Sequence, residues 1–321
     1  MTAPRVYRSL EEIGPEFGPC ALTIGNFDGV HLGHREIFRR VVEIGCRQGW
    51  TPSVMTFDPH PMRVVAPARA PRLLSTPDQR SLWMGESGIR QVLILPFNRD
   101  LSLLTPEEFV ERVLAARLGA KAVLVGQNFR FGNRAAGDVH RLRELGEARG
   151  IVTEVVAPVV YRGCVISSSQ IRQLIESGAV ARAARLLGRP FALEGSVVAG
   201  HGVGHRQTVP TLNLATQAEV LPERGVYVTR TQDLDSPRAW PSVTNIGTRP
   251  TFDGDRLSIE SFVLEGLEPP PPARIRVEFL WRLREERKFP DPAALKDQIL
   301  RDAARARAYH RRCSSRIQYS N

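Results

Sequence analysis

The strongest constraint on the fold is a change of rhythm partway along the chain. Five apolar runs in the first half are of buried-strand length: "ALTIG" (21–25), "SVMTF" (53–57), "QVLILPF" (91–97), "AVLVG" (122–126) and "IVTEVV" (151–156). Amphipathic stretches of helical spacing separate several of them. "HLGHREIFRRVVEIGCRQG" (31–49) is one. "TPEEFVERVLAARLG" (105–119) is another, with Thr105 as N-cap, Pro106 in the first turn, Glu108 as the capping-box acid and Gly119 as terminator. Such alternation predicts an α/β domain, a parallel sheet with helices on its faces. After "GAVARAARLLGRPF" (178–191) the long helices stop. "ALEGSVVAG", "GVYVTRT", "SVTNIG", "LSIESFVLE" and "RIRVEFLWRLR" are β-like and broken by turn residues, which predicts an antiparallel barrel or sandwich. "EPPPPA" (268–273) is read as a loop, because Pro cannot donate to a ladder. "DPAALKDQILRDAARARAYHRR" (291–312) is read as one closing helix. The boundary is placed at 188/189, giving domains 1–188 and 189–321, and 321 residues suffice for two cores.

Composition narrows the classes of function. The formal net charge is +10, but the positive residues are spread along the chain. Lysine occurs only at 121, 288 and 296, so the charge is almost all arginine, whose planar fork suits phosphate. A nucleic-acid module should show clustered charge or interleaved aromatics, and aromatics are 7% here; no nucleic-acid partner is expected. No apolar run has the length of a membrane span, and the first residues do not resemble a secretory signal. The four cysteines (Cys20, Cys46, Cys164, Cys313) form no CxxC pair, so a disulfide framework or zinc site is not expected and a reducing cytoplasm is.

The chemistry concentrates where the first strand gives way to a helix, in "GNFDGVHLGH" (25–34). His31 and His34 are three apart at a helix start and share a face. A helix N-terminus offers free N–H groups and a positive dipole end. Gly25, Gly29 and Gly33 allow close backbone approach. Two imidazoles beside a phosphate suit nucleotidyl transfer, where positioning and electrostatics carry most of the catalysis. A lone HxxH is otherwise one surface and one capping histidine.

The stretch resembles the HxGH signature of the nucleotidylyltransferase superfamily, and "ISSSQIR" (166–172) resembles its ISSTxIR partner. "TFDPHP" (56–61) and "VGQNFRFG" (125–132) are similar to the flavin-lining segments of bacterial bifunctional riboflavin kinase/FMN adenylyltransferases, the FAD synthetases. "LPFN" (95–98) and "LTPEEFV" (104–110) also fit, and the resemblance covers essentially the whole chain. It implies a Rossmann-like adenylyltransferase domain followed by a riboflavin kinase barrel. It assigns ATP in the first domain to Gly25, Asn26, Phe27, Asp28, Gly33, Ser167, Ser168 and Arg172, with His31 and His34 catalytic, and flavin to His60, Pro61, Asn128, Phe129 and Phe131. Asn128 stands where many members have Asp.

In the second half "GHGVGHRQTVPTLN" (200–213) resembles the kinase ATP loop. By that resemblance Gly204, Pro210, Thr211 and Asn213 bind ATP, with Thr211 and Asn213 offering hard oxygens to Mg²⁺. Glu260 in "SIESFVLE" stands at the catalytic base, and Arg284 is a candidate flavin or phosphate contact. "TNIGTRPTF" (244–252) fits the NIGxxPTF segment. Departures cluster in this half. His205 stands for the usual Arg, Thr208 for Gly and Phe262 for His, and "EGLEPPPPARIRV" replaces the stretch after the catalytic strand. The expected activity is therefore bifunctional, riboflavin to FMN and FMN to FAD with ATP and Mg²⁺. The alternative is an adenylyltransferase alone with a degenerate kinase barrel. Oligomeric state is left open between monomer and homo-oligomer.

Overall fold

A computed structural model describes residues 3–198, 211–251 and 254–318. The chain divides into two compact units, Met1–Ser168 and Ser169–Asn321. Residues 169–188, grouped with the first half by the change of rhythm, fall in the second unit.

The first unit is built on a six-stranded sheet of order β1-β4-β3-β2-β5-β6, with every pairing parallel. The strands are β1 (Arg5–Tyr7), β2 (Cys20–Ile24), β3 (Thr51–Asp58), β4 (Gln91–Pro96), β5 (Ala120–Gly126) and β6 (Val152–Val156). Five coincide with the apolar runs; β1, at the far edge, has three residues and no readable pattern. Every residue of β2 is buried, because both faces of the sheet are covered. Leu22 faces a core containing Phe17, Leu93 and Leu114, while its neighbour Ala21 faces one containing Phe38, Val54 and Met84. From β2 the chain steps through β3 and β4 to one side, then through β5 and β6 to the other. The switch point therefore lies at the carboxyl ends of β2 and β5, where ligands bind in open α/β sheets.

The local sequence forms the helices as expected. In Leu32–Gln48, Phe38, Val41 and Ile44 make a buried stripe, and Gly49 ends the helix with φ +70°. Thr105 and Glu108 form the expected capping box: Glu108 N–H donates to Thr105 Oγ1 at 3.2 Å and Thr105 N–H to Glu108 Oε2 at 3.0 Å. A short hairpin, β7 (Val160–Tyr161) and β8 (Cys164–Val165), leads into the helix Ser168–Glu176.

In the second unit six strands close an antiparallel barrel of order β10-β13-β12-β11-β14-β9, with β9 pairing back onto β10. They are β9 (Phe191–Val198), β10 (Thr211–Ala215), β11 (Gly225–Asp233), β12 (Ala239–Thr251), β13 (Gly254–Val263) and β14 (Arg274–Arg284). The barrel is thus the correct choice between the two expected architectures. The helix Pro292–Gln318 follows, and its Ala303 and Ala306 pack on Val226, Val228 and Val243. The core is not wholly apolar. Five hydroxyls, of Thr229, Thr231, Ser242, Thr244 and Ser261, are completely buried and contact one another at 2.7–3.2 Å.

Candidate functional sites

The turn after β2 is strained and pinned at several points. Phe27 (φ 47°) and Val30 (φ 38°) adopt the left-handed region without being glycine, on either side of Gly29 (φ 78°). For a β-branched residue such as Val30 this is a genuine outlier, costing about 1–3 kcal/mol and persisting only where the surroundings fix it. Both side chains are buried, Val30 completely. The buried Asp28 carboxylate accepts from Leu74 N–H at 3.0 Å and from Ser75 Oγ at 3.1 Å. Ser75 Oγ in turn accepts from Gly29 N–H at 2.9 Å. Beneath the turn the Asn26 carbonyl accepts from Arg80 Nη1 at 2.6 Å and from Thr56 Oγ1 at 3.2 Å.

This turn delivers the two imidazoles. His31 is the N-cap of Leu32–Gln48, its Nδ1 accepting from His34 N–H at 3.3 Å. A neutral imidazole that accepts at Nδ1 carries its proton on Nε2, so His31 presents an N–H donor. The rings stack with centroids 3.6 Å apart at 21°, and His34 meets the Phe27 ring edge-on at 5.2 Å. His31 is therefore both a cap and half of an imidazole pair. Gly33 makes this possible, since a Cβ there would lie 3.1 Å from His31 Cε1 and Nδ1. The second signature meets the first directly: Ser168 Oγ donates to the Asp28 carbonyl at 2.9 Å. Ser167 is half-buried beside it in sequence. Arg172 lies one turn into the same helix, with Nη1 3.4 Å from Ser169 Oγ.

Because β3, β2 and β5 are adjacent and parallel, the loops after them gather at one edge of the sheet. His60 follows β3, buried and capping a short helix that opens with Pro61; its Nδ1 accepts from Met62 N–H at 3.2 Å. Asn128 follows β5 and is exposed. Phe129 is half-buried and stacked on Phe131 at 5.6 Å. The Phe131 ring itself belongs to the core, against Phe109 at 5.8 Å.

In the barrel, register makes the site. Glu260 on β13 stands opposite Asn213 on β10 and Asn245 on β12, and Thr211 stands opposite Phe262. Directly paired residues share a face, so Asn213, Glu260 and Asn245 form one polar row, while the flanking Ile259 and Ser261 are buried on the other face. Ser258 Oγ donates to Glu260 Oε1 at 2.8 Å. Gly204, His205, Thr208 and Pro210 lie outside the described residues. Arg284 has a structural partner: its Nε and Nη2 reach the buried Asp302 carboxylate at 2.9 Å, joining β14 to the closing helix. Among the described residues no cluster of three His, Cys, Asp or Glu side chains could hold a metal ion.

Sequence reasoning missed Arg80, Ser75, Asn245 and Ser258. Asn245 was visible inside "TNIG", and Arg80 had a signal too. It sits one helical turn from Met84, on the stripe that buries Ser81, Met84 and Gly85.

The comparisons agree with this layout. The FAD synthetase family model matches residues 15–170 and the riboflavin kinase model residues 187–310. A bifunctional riboflavin kinase/FMN adenylyltransferase of Pseudomonas fluorescens is 37% identical over 305 residues, spanning 95% of this chain and 97% of its own. That of Escherichia coli K12 is 35% identical over 290 residues, spanning 90% and 92%. A crystal structure named as a macrolide-efflux protein from Streptococcus pneumoniae covers 95% of this chain and 99% of its own, with TM-score 0.83 and 27% identity. That name describes a different activity from the sequence relatives, and no helix among the described residues is long and apolar enough to cross a membrane. With the higher identity carried across both halves, the chain belongs to the family of bifunctional riboflavin kinase/FMN adenylyltransferases.

Proposed function

We propose that the two units make FAD in two ATP-dependent steps. In the barrel the riboflavin 5′-hydroxyl attacks the γ-phosphorus of ATP, giving FMN and ADP. Glu260 takes the hydroxyl proton, held for that task by Ser258 and flanked by Asn213 and Asn245. Thr211 and Asn213 are the oxygen donors that would hold Mg²⁺, which when bound neutralises phosphate charge. Gly204 and Pro210 belong to the same motif by resemblance. In the first domain, taken as residues 1–188, an FMN phosphate oxygen attacks the α-phosphorus of a second ATP, giving FAD and pyrophosphate. The nucleophile comes from the substrate, so the protein positions and stabilises. His31 Nε2–H and His34 face the phosphates. Gly25, Asn26, Phe27, Asp28 and Gly33 shape the loop, and Ser167, Ser168 and Arg172 contribute the second motif. His60, Pro61, Asn128 and Phe129 lie on the flavin side; Phe131 supports Phe129 from the core. The compartment in this reading is the cytoplasm.

The observation that carries the reading is the stacked imidazole pair at a helix N-terminus on the sheet's switch point, with Ser168 bonded to its turn. The test is a chromatographic time course of riboflavin with the pure protein, ATP and Mg²⁺. FMN followed by FAD is expected. Unchanged riboflavin with conversion of added FMN to FAD would leave an adenylyltransferase carrying a degenerate barrel. Turnover of neither flavin would refute both.

A further inference from the structure

Arg80 is one of the largest completely enclosed side chains, with 2% of its surface exposed. Burial draws its pKa below the ordinary arginine value, while the nearby Asp28 and Asp58 carboxylates favour its charge. Burying a guanidinium is expensive unless its donors are used. Here the two terminal nitrogens are spent on the ends of two adjacent strands, while Nε is buried without a hydrogen-bond partner. Nη1 donates to the Asn26 carbonyl at 2.6 Å and to Thr56 Oγ1 at 3.3 Å, and Nη2 to the Phe57 carbonyl at 3.4 Å. Asn26 is the last residue before the strained Phe27–Val30 turn, and Thr56 Oγ1 itself donates to the same Asn26 carbonyl. The opposite side of that turn is fixed through Asp28 by Leu74, Ser75 and Ser168. A turn with two non-glycine residues at positive φ does not hold itself, so its anchors decide where His31 and His34 stand.

We propose that Arg80 is a positioning residue for adenylyl transfer, clamping the Asn26 carbonyl from beneath so that the turn holds the imidazole pair in reacting geometry. The proposal rests on reading that turn as the adenylyltransferase site. It assigns Arg80 no contact with either substrate. A misplacement of about 1 Å far from the chemistry can lower a rate by about 10²-fold. Loss of transition-state alignment lowers kcat while leaving KM nearly unchanged.

The experiment uses the full chain with Arg80→Met, Arg80→Lys and His31→Ala, plus each Arg80 variant combined with His31→Ala. The readouts are kcat and ATP KM for FMN to FAD, riboflavin phosphorylation in the same preparation, and melting temperature. R80M should lower kcat for FAD formation about 100-fold with ATP KM within about threefold, and riboflavin phosphorylation should not change. R80K should recover about tenfold of that loss, since a single ammonium donor can reach Asn26 but not also β3. In the H31A background R80M should cost well under its ~100-fold effect in the unaltered chain, because one of the two imidazoles it misplaces is gone. A lowered melting temperature with unchanged kcat, or effects of R80M and H31A that simply multiply, overturns the proposal. If R80M does not fold, R80K with and without H31A decides by the same criterion. If H31A leaves FAD formation intact, the reading of the turn fails and this proposal with it. If H31A abolishes FAD formation while R80M is silent, only the role of Arg80 falls.

Discussion

The hydroxyls inside the barrel make a quantitative prediction. Their contacts run Thr229–Ser242–Thr231–Ser261–Thr244 and back to Thr229, a closed ring of five oxygens and five contacts. Each hydroxyl has one proton, so five donors serve five contacts, each group donating once and accepting once. Thr229→Val keeps the shape and removes two contacts. The remaining chain of four hydroxyls has four protons for three contacts, leaving one buried donor unmatched. Two net hydrogen bonds at about 1 kcal/mol each, with an orphaned group at about 1 kcal/mol or more, give about 3 kcal/mol. For a unit of this size that is roughly 6–12 °C in melting temperature by calorimetry. The ring also fixes how substitutions combine. Thr229→Val with its neighbour Ser242→Ala removes three contacts, where the two singles remove two each. The double variant, which leaves one orphaned donor where the two singles leave one each, should therefore fall short of the sum by one hydrogen bond and one orphaned group, about 2 kcal/mol. Thr229→Val with Thr231→Val, which do not touch, removes four contacts and should be additive. A T229V loss below about 0.5 kcal/mol, or equal coupling in the two doubles, would refute the ring.

Other substitutions separate the sites. His31→Ala should lower FAD formation by at least about 100-fold and Glu260→Gln should lower riboflavin phosphorylation by about 10²–10⁴-fold, each leaving the other step intact in the same flavin assay. Arg284→Met strands a buried carboxylate at Asp302 and should cost about 3–5 kcal/mol, whereas the double change to Met and Leu should recover much of it; both are read by urea unfolding. His310 is held below its ordinary pKa mainly by burial, against its hydrogen bond to the Thr229 carbonyl and with the Arg230 charge adding to the depression. The folded state therefore favours neutral His310. Its stabilising effect is full above about pH 6.5, the unfolded value, and fades as the pH falls toward the folded pKa. Barrel melting measured from pH 7.5 to 5 should lose part of its acid sensitivity in His310→Gln, and an unchanged slope would contradict this.

Much of the architecture was legible because it is written in periodicity. Five of the six strands of the parallel sheet, the Thr105 capping box and the closing helix each follow from spacing within a short window. The histidine pair was legible from three-residue spacing at a strand–helix junction. What was missed depends on partners distant in sequence. Arg80 looks like an ordinary helical arginine until the helix packs and its donors find Asn26, 54 residues away. Arg284, read by resemblance as a flavin or phosphate contact, has a partner that no local pattern shows, the Asp302 carboxylate on the closing helix. The threonines and serines of β11, β12 and β13 read only as good strand formers; that their hydroxyls meet is a consequence of register. Phe129 and Phe131, two apart, stack on each other, and only burial against Phe109 shows that Phe131 is the one inside the core.

The two candidate sites are held in place by opposite means, and this governs how each tolerates change. In the first unit the reacting side chains hang on a turn whose dihedrals are unfavourable in isolation. Its geometry is imposed by groups that touch no substrate in our reading: Arg80 beneath, and Ser75 with the Leu74 amide beside Asp28. Such a site is vulnerable to substitutions outside the motif, because strain released in any anchor moves the imidazoles. In the barrel the row Asn213–Glu260–Asn245 is set by the ladders of β10, β13 and β12, whose backbone bonds do not depend on side-chain identity. Here substitutions beside the row are absorbed, while a one-residue slip of β13 would exchange Glu260 with Ser261, turning the carboxylate inward and the ring hydroxyl outward. The hydroxyl ring resists that slip, since Ser261 completes it only in the native register. A polar core with fixed partners thus protects the position of the carboxylate on its other face, a service that an apolar core of equal volume would perform less selectively.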